Sequence, residues 1–275
     1  MITQAEDILN QFTDNPRKDN SLLEQLFALL PRKMKNVADY LLPADAEPEQ
    51  IQNVIDRETD LLRMMETQMQ ALPSNDSKEK TLLEEWNLSI TPVNNEKELR
   101  QIKRHMGHSA DCFSKAFRVK NSNRDNAFWN YYDKHNYHKE DIHYWYHGSR
   151  NMNCLSILHN GLILNPKAPK VGHMFGYGIY LAPKAKKSIG YTSLNGSFWV
   201  HGTSDTADLF VMKTVYKSPY HVYTWTSGMK SLTKSRISPH DAVFAHAGTS
   251  LRNDEVVIFD DAQVTLQYII ELKQQ

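Results

Sequence analysis

Leucines recur at three- and four-residue spacing early in the chain, at positions 22, 23, 26, 29 and 30. A second apolar stripe with the same spacing runs from Ile51 to Met69. This spacing places apolar side chains along one face of an α-helix. Pro31 and Pro43 lie between the two stripes, and proline ends or interrupts a helix. The pattern therefore predicts two or three helices between Ser21 and Leu72.

The apolar pattern changes after Leu72–Ser77, a run of turn-forming residues. We expect a domain boundary there, with a helical domain at 1–76 and a larger domain at 77–275. Charged residues at helical spacing predict a helix at Lys97–Met106. Short runs rich in aromatic and β-branched residues predict strands at Trp86–Val93, Tyr144–His147, Gly178–Leu181, Leu209–Tyr216, His221–Thr226, Asp241–His246, Glu255–Phe259 and Gln263–Leu272. These patterns predict an α+β fold, with a small helical domain followed by a strand-rich domain that has few helices.

Charge and cysteine content narrow the range of functions. The chain has 32 basic and 32 acidic residues, so no overall field attracts it to nucleic acid or to an anionic membrane. Cys112 and Cys154 are too far apart for a CxxC pair, which argues against a zinc finger and a disulfide framework. Residues 1–20 lack the apolar run of a signal peptide, and no later run has transmembrane length. We therefore expect a soluble intracellular protein, cytoplasmic in a prokaryote or virus, or nuclear in a eukaryote.

Three segments carry candidate chemistry, and the first is Tyr146–Arg150 at the end of a predicted strand. Glycine at position 148 lets the backbone approach a ligand closely, while His147 and Ser149 offer adjacent polar side chains. Taken alone, a His-Gly-Ser turn is weak evidence, because most such turns bind nothing.

The second segment is Val171–Ala182, followed after a short interval by Tyr191. The rings of Tyr180 and Tyr191 are suited to flank a planar cationic ring. Gly176 and Gly178 do not form a dinucleotide-binding fingerprint, because that motif places its glycines after a strand and at the start of a helix. Alone, these aromatic residues would be interpreted as core.

The third segment is Ser250–Val264, in which Glu255 begins an otherwise apolar strand. A carboxylate in this setting is costly unless it is hydrogen-bonded or faces a cleft. Alone, it would be interpreted as a solvated strand end.

In this order, the three segments resemble the catalytic domain of the poly(ADP-ribose) polymerases, which are diphtheria-toxin-like ADP-ribosyltransferases. The stretches that carry the resemblance are WYHGSRNMNCLSILHNGL, GHMFGYGIYLAPKAKKSIGY and RNDEVVIFDDAQVTLQYIIEL. The resemblance covers about Leu82–Leu272. It implies a domain of two packed antiparallel sheets that uses NAD⁺ as substrate, releases nicotinamide and transfers ADP-ribose to an acceptor.

The resemblance also implies which residues bind NAD⁺. The Gly148 backbone and the Ser188 hydroxyl would bind the nicotinamide carboxamide, and Tyr191 would stack on its ring. His147 would contact the adenosine ribose, with Ser149 beside it.

The implied catalytic set is His147, Tyr180 and Glu255. Glu255 would stabilise the positive charge that develops on the ribose as nicotinamide leaves, and Lys187 would lie near that carboxylate. Leu164–Met174 corresponds to the family's donor loop. Within it, His173 is implied to contact NAD⁺ at a position where many relatives carry tyrosine.

Several alternatives remain open at this level. The transferase could be a mono-ADP-ribosyltransferase or an NAD⁺ glycohydrolase, or the domain could be a catalytically silent NAD⁺-binding module. The acceptor could be a protein, this chain itself or a nucleic-acid end. Leu23–Met34 is similar to the start of the family's helical regulatory domain, in a shortened form, but no segment resembles the family's DNA-reading modules.

A metal site is not expected from the histidines at positions 135, 138, 143 and 147. On an extended strand His143 and His147 would lie about 13 Å apart, which is too far to share one ion.

Overall fold

The computed structural model describes residues 2–13, 15–30, 32, 34, 36–70, 80–164 and 174–274. The predicted domain boundary at Leu72–Ser77 lies outside these residues, as do His173 and most of the predicted donor loop. Three α-helices form the N-terminal region: α1 (Ile2–Leu9), α2 (Pro16–Leu29) and α3 (Pro48–Gln70).

The predicted leucine stripe is confirmed as the buried face of α2. Leu22, Leu23 and Leu26 pack against Ile51 and Ile55 of α3 in one apolar core. The start of α2 is set by Asn15, whose side chain accepts hydrogen bonds from the first free backbone N–H groups, with proline at the next position. The apolar spacing and the N-terminal cap therefore both indicate a helix at this position.

The rest of the described chain contains five further α-helices and nine strands. In chain order they are α4 (Leu82–Glu85), β1 (Leu88–Pro92), α5 (Glu96–Met106), β2 (Phe113–Asn121), α6 (Ser122–Lys134), β3 (Ile142–Gly148), α7 (Cys154–Asn160), β4 (Ile179–Leu181), α8 (Ala185–Ile189), β5 (Thr206–Val215), β6 (Pro219–Val222), β7 (Ala242–Ala245), β8 (Glu255–Ile258) and β9 (Val264–Lys273). The prediction of few helices here is wrong, because short helices connect many of the strands.

Two sheets pack around the main apolar core. The first has the order β1-β2-β9-β5-β3 and is antiparallel throughout, and the second has the order β4-β8-β7-β6. In the second sheet β6 and β7 run parallel, so this sheet is mixed. The two-sheet prediction is confirmed, but the expectation that both sheets are antiparallel is wrong for this pair. A long crossover, residues 223–241, makes the parallel arrangement feasible.

All the predicted strands but one are confirmed. The strand predicted at His221–Thr226 instead spans Pro219–Val222. β2 and α6 were not predicted. The charged residues of β2, at positions 115, 118 and 120, do not follow the strict alternation that signals a strand. Helix α6 is rich in residues with poor helix propensity, although Asn121 caps its first turn.

Two further expectations can be compared with the structure. Cys112 and Cys154 are free and half-buried. Among the described residues, no helix is both long and apolar enough to cross a membrane.

Candidate active site

A cavity of about 410 Å³ opens beside the ends of β3, β4 and β8, and residues from all three predicted segments line it. This volume lies within the range of small-molecule sites, roughly 300–1,000 Å³. The structure brings together every sequence-predicted site residue that it describes: His147, Gly148, Ser149, Tyr180, Lys187, Ser188, Tyr191 and Glu255. His173, also predicted, lies outside the described residues.

Strand pairing explains why distant segments meet here. The Tyr146 N–H donates to the Ala182 carbonyl at 2.9 Å, and the Ala182 N–H donates back to the Tyr146 carbonyl at 2.8 Å. This bridge joins the end of β3 to the residue that follows β4. In turn, Tyr180 of β4 pairs with Val257 of β8. The first and second segments are therefore held beside the strand that begins at Glu255.

Gly148 is required by a close approach between β3 and α8. A Cβ at this position would overlap the backbone carbonyl of Ser188. Ser188 itself is buried on α8. The next residue, Ser149, accepts a hydrogen bond through its Oγ from the Asn153 side-chain amide at 2.8 Å. The close approach of β3 to α8 places Gly148 and Ser188 side by side in the cavity wall.

His147 is held as a neutral ring with a defined orientation. Its Nδ1 lies 3.1 Å from the Tyr180 carbonyl oxygen, and a carbonyl can only accept, so Nδ1 carries the proton. Burial lowers the pKa of His147, and the charge of Arg63 on α3 acts in the same direction. The remaining nitrogen, Nε2, is therefore a hydrogen-bond acceptor.

The hydroxyl of Tyr180 serves the turn before β4. It accepts from the Phe175 N–H at 2.9 Å and donates to the Gly176 carbonyl at 2.8 Å. Burial raises the pKa of Tyr180, so the hydroxyl stays protonated. Gly176 has φ of 81°, a conformation that favours glycine. Tyr180 thus orders the cavity wall through both its ring and its hydroxyl.

Glu255 is a buried carboxylate, 8% exposed, at the first position of β8. It forms an ion pair with Lys187 of α8 through Oε1 and Nζ. Burial lowers the pKa of Lys187 to about 8, against the opposing charge of Asp254. The neighbouring Glu255 carboxylate likewise favours the charged ammonium. The ion pair is therefore buried at the cavity wall.

Tyr191 completes the predicted set at the mouth of the cavity. Its ring remains 37% exposed and lies just beyond the end of α8. Burial of its hydroxyl end raises the pKa of Tyr191 to about 12, so the ring is neutral at physiological pH. A neutral, electron-rich ring face at this edge suits stacking on a planar cation.

Sequence reasoning missed the contribution of the N-terminal helices. Gln52, Asp56 and Arg63 of α3 line the same cavity. Asp60, one turn beyond Asp56, forms a partly buried ion pair with Arg150, at 3.1 Å between Oδ2 and Nη1. Burial raises the pKa of both aspartates. No motif signals this, because the contacts depend on how α3 lies against the turn after β3.

Asn153 was also missed. It is buried in the cavity wall, and within the described part of the chain its Oδ1 has no hydrogen-bond partner. A buried amide oxygen without a partner is costly, so this atom is a candidate ligand-binding acceptor. The described residues contain no group of three or more His, Cys, Asp or Glu side chains arranged to hold a metal ion.

Comparison with known proteins agrees with this geometry. The family model of the poly(ADP-ribose) polymerase catalytic domain matches residues 96–274, more than half of the chain. The chain belongs to this family. The matched region includes β3, β4, α8 and β8, and all eight described residues of the predicted set lie within it.

Individual relatives match over shorter stretches. The chain is 32% identical over 146 residues to a poly [ADP-ribose] polymerase of Sarcophaga peregrina, which covers 46% of this chain and 15% of that protein. It is 31% identical over 153 residues to poly [ADP-ribose] polymerase 1 of Gallus gallus, covering 46% and 14%. With poly [ADP-ribose] polymerase 2 of Arabidopsis thaliana the identity is 25% over 225 residues, covering 69% and 34%. The matches thus span at most about a third of these relatives' length.

Proposed function

We propose that this polymerase-family domain cleaves nicotinamide from NAD⁺ and transfers the ADP-ribose to an acceptor. The observation that carries the proposal is the buried Glu255 carboxylate, held by Lys187 in a cavity that also contains Ser188 and Tyr191. A fixed, buried carboxylate stabilises positive charge far better than one in solvent. Such a site suits a reaction in which positive charge develops on a sugar.

The cavity wall supplies groups that fit the two ends of NAD⁺. For the nicotinamide end, the Gly148 backbone and the Ser188 hydroxyl offer donors and acceptors for a carboxamide, and Tyr191 lines the same cavity. For the adenosine end, the unprotonated nitrogen of His147 and the Oδ1 of Asn153 are acceptors for ribose hydroxyls or an adenine amino group. These groups support NAD⁺ as the substrate.

The proposed reaction breaks the bond between the ribose C1′ and the nicotinamide nitrogen. The electron pair leaves with nicotinamide, which becomes neutral, so the positive charge passes to the ribose. Glu255 stabilises this charge as it develops, while its ion pair with Lys187 orients the carboxylate. An acceptor hydroxyl then bonds to C1′, and its proton passes to Glu255 or to solvent.

We also propose that the helical region, residues 1–76 of the predicted division, restricts access of NAD⁺. Asp56 and Gln52 of α3 line the cavity, so an acidic side chain lies where NAD⁺, which carries a net negative charge, would bind. Replacing Asp56 with asparagine keeps the side-chain size and removes the charge. We expect the KM for NAD⁺ to fall about two- to fivefold, as for one partly screened charge, with kcat unchanged.

Glu66→Gln is the matched control for that experiment, because Glu66 is an exposed carboxylate on the same helix. An equal fall in KM for both variants would indicate a general charge effect and would contradict a specific role for Asp56.

Incubation with NAD⁺ labelled in the adenylate part, with separate protein, DNA and RNA pools, tests the main proposal. We expect release of nicotinamide together with label on one of the pools or on the chain itself. A ladder of products would indicate a polymerase and a single product a mono-transferase. Free ADP-ribose alone would indicate a glycohydrolase. Binding of NAD⁺ without release of nicotinamide would indicate a silent module. Each of these two results would overturn the transferase proposal.

A further inference from the structure

The loop from Gly190 to Asp205 supplies Tyr191 to the cavity and then returns to pack Trp199 against it. The two ring centroids lie 5.8 Å apart with an angle of 18° between the planes, which is an offset stacked arrangement. Tyr191 lines the cavity, whereas Trp199 does not. The indole therefore supports the tyrosine ring from outside the cavity.

Three features of the loop hold the indole in this place. The backbone N–H of Trp199 donates to the Gly190 carbonyl at 2.9 Å. Gly190 leaves room for the ring, since a Cβ there would lie only 3.0 Å from Trp199 Cδ1. Phe198 packs edge-on, with centroids 4.6 Å apart and planes at 87°. The loop thus builds a support for Tyr191 from residues that lie outside the cavity.

We propose that Trp199 is a positioning residue that fixes the Tyr191 ring for stacking on nicotinamide. The inference rests on the proposed function, because it concerns the same ring. An exposed tyrosine without a stacking partner samples several rotamers, and binding must then restrict them. Trp199 removes that cost in advance, so it raises affinity for the nicotinamide ring without touching the reacting atoms.

The first test is the affinity for nicotinamide itself, measured by calorimetry, in Trp199→Ala. Aromatic pairs of this kind correspond to about a three- to tenfold change in an equilibrium constant. We expect nicotinamide to bind that much more weakly and the KM for NAD⁺ to rise by a similar factor, with kcat within about twofold of the unaltered protein. Trp199→Phe keeps a stacking ring and should restore most of the affinity.

Trp129→Ala is the matched control for loss of an indole. Trp129 is partly exposed on α6 and packs on Phe128 and Tyr132, away from the cavity. We expect no change in nicotinamide affinity for this variant.

Gly190→Ala provides a second test that leaves both rings in place. The backbone at Gly190, with φ of −59° and ψ of −15°, accepts alanine without strain. The added methyl must displace the Trp199 indole by a few tenths of an ångström. We expect a two- to threefold loss of nicotinamide affinity, smaller than that of Trp199→Ala. This variant keeps the inference testable if Trp199→Ala fails to fold.

A double-mutant cycle decides whether Trp199 acts through Tyr191. In a Tyr191→Ala background, Trp199→Ala should cause no further loss of affinity, because the ring that it positions is gone. The inference is overturned if Trp199→Ala binds nicotinamide normally, or if its full effect persists without Tyr191. Nicotinamide binding without NAD⁺ cleavage by the unaltered protein would overturn the proposed function alone, whereas absence of nicotinamide binding would overturn both.

Discussion

Replacing Lys187 with methionine removes one charge of the buried ion pair and keeps the length of the side chain. The Lys187 and Glu255 side chains are only 13% and 11% exposed, so the variant leaves a carboxylate buried without a counter-ion. Breaking a buried pair in this way costs about 3–5 kcal/mol. For a chain of this size, each kcal/mol corresponds to roughly 2–4 °C in Tm. We therefore expect Tm to fall by about 6–20 °C.

Thermal unfolding of four proteins tests this expectation. Lys115→Met is the matched control, because the Lys115–Glu271 pair is exposed at 67% and 30% and should contribute less than about 1 kcal/mol. The double variant Lys187→Met with Glu255→Gln lacks both charges of this buried pair, so it should regain most of the lost stability while remaining inactive. A normal Tm for Lys187→Met, or a double variant no more stable than Lys187→Met, would refute the reasoning.

Two further predictions concern the pH dependence and the cavity wall. Burial lowers the pKa of Lys187 to about 8, so the ammonium that holds Glu255 is lost as pH rises through that value. We therefore expect kcat/KM for nicotinamide release to fall above about pH 8 in the unaltered protein, and Lys187→Arg to lack this decline. A kcat/KM of the unaltered protein that stays constant above about pH 8 would count against the role of the ammonium. Gly148→Ala should weaken nicotinamide binding at least tenfold in calorimetry, because the new Cβ overlaps the Ser188 carbonyl. Gly228→Ala is the control: a Cβ at position 228 has no neighbouring atom within 4 Å, so this variant should bind nicotinamide normally.

Strands with a strong apolar pattern could be predicted from the sequence. Most positions of β5 and β8 are buried, and many hold the β-branched residues that favour strands. β2 was missed because Lys115, Arg118 and Lys120 occupy its more exposed positions, and α6 because its aromatic and amide residues favour no single element. The parallel pairing of β6 with β7 depends on the path of a long connection, which no local pattern reveals.

The residues of the candidate site likewise include some that the sequence indicates and some that it does not. Gly148 and Glu255 stood out locally, one as a glycine in a polar turn and the other as a carboxylate at the start of an apolar strand. Asp56 and Arg63 did not, because on α3 they have the appearance of ordinary solvated helix residues. Their relation to the cavity arises only from tertiary packing, in which α3 contacts the turn after β3 and the helix α7. Helical spacing alone carries no information about which surface a polar face will meet.

Transfer of labelled ADP-ribose by Glu255→Gln tests the central claim most directly. The substitution keeps the size of the side chain and removes the charge that the proposed reaction uses. We predict that the variant binds NAD⁺ with nearly unchanged affinity and transfers label about 100- to 1,000-fold more slowly than the unaltered protein. Transfer at the unaltered rate would contradict the assignment of Glu255 as the catalytic carboxylate.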